Sequence, residues 1–138
     1  MCLNSLAYAD KNMKIGSLGK ESEVSRVIKV IMYDNYYEPD SFQIKAGETI
    51  RFEVENAGEL VHEFNIANKM MHINHQPEME KMVENEILFA DSIDKDKMKK
   101  MAKMDKSMGH SHSNSVLLEP KQKGFIIWKF DNAVNIEV

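Results

Sequence analysis

The sequence predicts an all-β sandwich carrying one partly helical insertion. Three observations lead there. Several short segments rich in β-branched and aromatic residues are separated by turn signals. One of them, Thr49 to Glu55, alternates strictly, with Ile50, Phe52 and Val54 on one face and Arg51, Glu53 and Glu55 on the other. Between two groups of such segments, the stretch from about 70 to 114 changes to helical periodicity and unusual composition.

The first ten residues end in Ala7-Tyr8-Ala9-Asp10, with small residues at the two positions a signal peptidase reads. The apolar run before them is too short for a whole signal, so residues 1–9 are expected to be a signal-peptide remnant and the protein periplasmic or otherwise exported. Residues 10–23 are polar and contain Gly16 and Gly19, and are expected to form a flexible lead-in to a domain spanning 24–138. Val24 to Met32 reads as the first strand and ends at Asp34-Asn35. Phe42 to Lys45 follows the turn at Pro39-Asp40, and Ala46-Gly47-Glu48 turns the chain into the alternating strand. That strand is expected to be half-buried and antiparallel. Leu60 to Ala67, Ser115 to Glu119, Gly124 to Phe130 and Val134 to Val138 complete seven strands, with Ile126, Trp128 and Phe130 sharing a face.

Within the insertion, Pro77 suits the first position of a helix and Glu78 and Glu80 suit its positively polarised end, so a helix from Pro77 to about Phe89 is expected. A second, capped by Asp91 or Asp94, is expected to run to Met108 and stop at Gly109. It holds six lysines between Lys95 and Lys106 and no Leu, Val or Phe, so its ordering is expected to depend on binding.

Composition narrows the function. A net charge of −4 offers no basic footprint for nucleic acid, and no apolar run is long enough for a membrane helix. The single cysteine, Cys2, excludes an internal disulfide and any cage of several thiolates. Methionine is the anomaly: eight of the eleven lie between Met70 and Met108, and four of the five histidines lie between His72 and His112. Thioether and imidazole donors together suit copper, Met favouring Cu(I) and His serving either oxidation state. Met70-Met71-His72-Ile73-Asn74-His75 places four such donors in six residues, Met79 and Met82 follow on one helical face, Met98, Met101 and Met108 share another with Met104 at its edge, and His110-Ser111-His112 adds two imidazoles. Methionine at helical spacing is also ordinary packing, and for Met79 and Met82, beside Val83 and Ile87, the two readings balance. No nucleophile–base pairing or phosphate loop is visible, so no enzymatic activity is expected.

The strand residues also carry a resemblance. Tyr33-Asp34-Asn35-Tyr36-Tyr37-Glu38-Pro39, Phe42 to Ile50, Gly58-Glu59-Leu60-Val61-His62-Glu63-Phe64, Ser115 to Pro120 and Trp128-Lys129-Phe130 closely resemble bacterial cupredoxins of the plastocyanin/azurin type. The resemblance implies a Greek-key sandwich in an exported copper-handling protein, and it places His62 on the family's first copper-ligating histidine. The family's Cys-His-Met loop would follow Val138, so nothing in this chain maps onto it and no blue-copper centre is expected here. The absent strand would leave an open sheet edge, available to residues 10–22 or to a second copy in a homodimer. The leading expectation is an exported copper-binding protein that sequesters copper or passes it to or from a donor or acceptor protein, through His62, the eight methionines and the four histidines of the insertion. The competing readings are a protein-interaction module on the same scaffold and a truncated blue-copper electron carrier.

Overall fold

The computed structural model describes residues 15–67, 69–110 and 112–137, without the side chains of residues 69, 70, 72, 107 and 135–137. The expected signal remnant at 1–9 lies outside this range.

Among the described residues, nine strands form a sandwich: β1 Ser17–Leu18, β2 Arg26–Met32, β3 Tyr37–Glu38, β4 Ser41–Ile44, β5 Thr49–Asn56, β6 His62–Asn65, β7 Ser115–Leu118, β8 Lys123–Lys129 and β9 Val134–Glu137. One layer is a five-stranded sheet in the order β1-β8-β5-β2-β3, and the other consists of the pairs β4-β9 and β6-β7. The alternating strand keeps the predicted faces, with Ile50, Phe52 and Val54 buried. Its pairing differs from the expectation. β5 runs antiparallel to β8, Phe52 opposite Ile126, but parallel to β2, Arg26 opposite Ile50 and Met32 opposite Asn56. Alternation reports which face is buried and carries no information on strand direction. Phe52 joins the layers, its ring 5.3 Å from Phe42, 5.4 Å from Phe64 and 6.2 Å from Phe130.

The expected flexible lead-in is partly built into the sheet. Ser17 and Leu18 pair with Lys129 and Trp128 along the outer edge of β8, Ile15 packs on the core, and a short 3₁₀ turn, Glu21–Glu23, leads into β2. Gly16, at φ +136°, permits this approach, because a Cβ there would stand 2.1 Å from the Lys129 carbonyl oxygen.

β6 and β7 matter most for function. Phe64 faces the main core together with its partner Val116, and Leu118, opposite His62, does the same. By the two-residue period, Glu63 and its partner Leu117 point the other way. On that outer side Leu117 meets a second hydrophobic cluster centred on Met82, Ile87 and Met108. The insertion is therefore a third layer laid over the β6-β7 pair.

Two helices build that layer, α1 Lys69–Glu84 and α2 Lys95–Ala102. α1 begins eight residues before Pro77, which sits inside it, correcting the expected start. The carbonyl that Pro77 leaves unpaired belongs to Ile73, on an exposed stretch of the helix where water can take it. α1 ends at Glu84 instead of Phe89, because Glu86 turns left-handed at φ +56° and drives Ile87 into the cluster, its N–H bonded to the Met82 carbonyl at 2.9 Å. α2 starts as expected, Asp94 accepting the Lys97 N–H at 3.0 Å. It stops at Ala102, short of Met108, and a 3₁₀ turn, Lys106–Gly109, returns Met108 to the cluster. Only Met98 and Met101 of α2 reach that cluster, so nothing apolar draws the helix further.

Candidate metal centre

The outward face of β6 supplies the floor of the site, α1 one wall and the segment after the 3₁₀ turn the other. His75 on α1 meets His110 and His112 from a segment 35 residues later, with a ligand nitrogen of each lying within 4.8 Å of those of the other two. Ring centroids are 5.1 Å apart for His75 and His110, 5.2 Å for His75 and His112, and 5.3 Å for His110 and His112. His110 adopts φ +44°, a left-handed conformation that histidine tolerates better than most residues. The turn brings its side chain to 4% exposure, whereas that of His112 remains 37% exposed at the rim.

Two carboxylates frame the imidazoles. Glu63 Oε2 lies 3.0 Å from His75 Nε2 and in close contact with His110 Nε2. Glu78, one helical turn beyond His75, has Oε2 3.2 Å from His75 Nδ1 and its two oxygens 3.0 and 2.9 Å from His112 Nε2. Burial alone would raise the Glu63 carboxyl, but the neighbouring His110 and His75 outweigh it and hold the group below the usual carboxylate range. Behind Glu63, the Tyr37 hydroxyl donates to the Glu63 backbone carbonyl at 2.9 Å. Burial, followed by the Glu63 charge, pushes that phenol up to about 12.

The donor set is imidazole and carboxylate, which suits a divalent first-row metal. Of the ligand candidates read from the sequence, the structure brings together His75, His110 and His112. The side chains of Met70 and His72 are outside the description. Met71 is half-buried one turn before His75. Met82 is fully buried and Met108 nearly so, with Met79, Met98 and Met101 packed against them, so five of the candidate thioethers sit where a small core needs them. Met104 is 90% exposed. His62 points to the inner side of β6, away from Glu63, and its Nε2 lies 2.8 Å from Asp34 Oδ1. Asp34 also accepts the Glu59 and Leu60 N–H groups. The Glu59 bond and then His62 hold its carboxyl below the ordinary value.

Glu63 and Glu78 were missed in the sequence. A signal for Glu63 existed: with Phe64 turned to the core, alternation sends Glu63 toward whatever covers the outer side of β6. Glu78 was legible only as a favourable charge at a helix start, because the earlier turns of α1 were not foreseen.

Comparison with known proteins agrees with the fold. The family described as "Cupredoxin-like domain" matches residues 7–91. The copper-resistant cuproprotein CopI of Pseudomonas aeruginosa is 38% identical over 136 residues, which cover 88% of this chain and 71% of that protein. The copper-resistant cuproprotein CopI of Rubrivivax gelatinosus is 24% identical over 129 residues, covering 93% of this chain and 64% of that protein. No solved structure gives a significant match. Among the described residues, no helix is long and apolar enough to cross a membrane.

Proposed function

The chain belongs to the cupredoxin-like family, and from that premise we propose that it binds copper as cargo at His75, His110 and His112, in an exported compartment, to sequester the ion or hand it on. The observation that carries this reading is the convergence of three imidazoles from two segments far apart in sequence, each with a carboxylate beside it. Unpaired, three imidazoles would rather be solvated. Gathered against Glu63 and Glu78 over a packed cluster, they are preorganised for an ion.

Each residue has a task in this reading. His110, deeply buried, anchors the inner end. His112, at the rim, is the first donor an arriving ion meets and the last a receiving protein must displace. Glu78 and Glu63 fix the imidazole orientations and balance the ion's charge. The methionines hold α1, α2 and the 3₁₀ turn together, so the site stands without the thioether ligation expected from their number. This is a binding role with no chemical step.

The test is a titration of the chain carrying Cys2→Ser with Cu(II) against a chelator of known affinity. One tightly bound equivalent is expected, with only weak ligand-field absorption, because imidazole and carboxylate donors lack the thiolate that gives copper an intense visible band. An intense thiolate-type band, or no binding in competition with the chelator, overturns the reading.

A further inference from the structure

Glu63 is placed to do more than orient its neighbours. Its Oε2, His75 Nε2 and His110 Nε2 form a tight triangle, with 3.0 Å between Glu63 and His75, 3.2 Å between the two nitrogens, and Glu63 close against His110. A tetrahedral ion with bonds of about 2.0 Å separates its ligand atoms by about 3.3 Å, and the Glu63–His75 and His75–His110 edges come near that spacing, while Glu63 and His110 would have to part slightly to admit an ion.

The protons point the same way. His75 Nδ1 faces Glu78 Oε2 at 3.2 Å, and a proton there leaves His75 Nε2 as a lone pair. That nitrogen faces the Glu63 carboxylate oxygen at 3.0 Å, so an ion placed between them would be met by both donors at once. The Glu63 side chain is 17% exposed, so water does little to screen the pair.

We infer that Glu63 is an inner ligand completing a three-histidine, one-carboxylate site, and that this oxygen makes the site select Cu(II) over Cu(I). An anionic oxygen donor favours the divalent ion, whereas Cu(I) is content with imidazole or thioether. Glu78, which reaches His75 at Nδ1, the nitrogen turned away from Glu63, and holds His112 at the rim, is a positioning residue. This inference rests on the copper reading above.

The test measures Cu(II) and Cu(I) affinities of the full chain by chelator competition, for the parent and for Glu63→Gln, Glu63→Asp, Glu78→Gln and His75→Gln. Loss of an outer partner costs about ten- to a hundredfold in metal affinity, and Glu78→Gln should fall in that range for both ions. Glu63→Gln should lower Cu(II) affinity by more than about a hundredfold while Cu(I) changes by less than about threefold, as expected of a lost hard inner ligand. Glu63→Asp retracts the carboxylate while keeping its charge, and should shift the Cu(II)/Cu(I) ratio in the same direction. It keeps the question open to measurement if the Gln variant misfolds. Equal losses of both ions on Glu63→Gln, or an unchanged ratio in the folded variants, overturns the inference while His75→Gln still loses both. If His75→Gln binds both ions as tightly as the parent, the copper reading itself fails.

Discussion

Replacing His75, His110 and His112 together with Gln is expected to lower Cu(II) affinity by well over about a hundredfold, beyond what loss of outer partners costs. It should leave the β-sandwich intact. Gln is similar in reach and can donate to Glu63 and Glu78, so neither carboxylate is stranded without a partner, and the three residues contribute nothing to either hydrophobic cluster. Circular dichroism and chelator competition on the same preparation check both halves. Single replacements should be graded, His110 costing most because it is the deepest and His112 least because its side chain is 37% exposed. Replacing His62 with Gln should leave this affinity unchanged, since that ring is engaged with Asp34 on the other side of β6.

Truncating Met82 to Ala is expected to destabilise the insertion by about 2–5 kcal/mol, the range for a large core side chain reduced to a methyl. Met82 is fully buried, and its neighbours Ile87 and Met108 tie α1 to the turn that carries His110. Loosening that tie separates His75 from His110 and His112, so copper affinity should fall with stability although no ligand has been touched. Met82→Leu nearly conserves volume and should preserve both. The lysines between Lys95 and Lys106 provide a direct readout. In the parent the packing of Met98 and Met101 should protect this segment from trypsin, and in Met82→Ala it should be cut quickly. Protection unchanged in Met82→Ala would mean the insertion is held by something other than this cluster.

The strands were legible because a half-buried strand writes its faces into the sequence, as Ile50, Phe52 and Val54 do. The parallel pairing of β5 with β2 was not, because direction is fixed by topology and leaves no mark on alternation. The resemblance to cupredoxins rested on whole segments and holds. In the insertion, abundant methionine pointed to thioether ligation, whereas the fold spends Met79, Met82, Met98, Met101 and Met108 on packing. Composition cannot separate those uses, since both want the same spacing on a helix. The decisive clue was weaker: Leu117 lies between two core-facing neighbours, so its side chain had to be covered by something else. Knowing that the insertion covers the outer face of β6 and β7 would have placed Glu63 beneath it. The convergence of His75 with His110 and His112 depends on the turn returning Met108 to the cluster, a tertiary fact with no local signal.

In the proposed function one copper ion is held between α1 and the segment after the 3₁₀ turn. Diffraction from a crystal of the copper-loaded chain, recorded on both sides of the copper absorption edge, tests it most directly. A single anomalous peak is expected about 2 Å from nitrogens of His75, His110 and His112. A peak instead beside His62, or among Met79, Met98 and Met101, would contradict it.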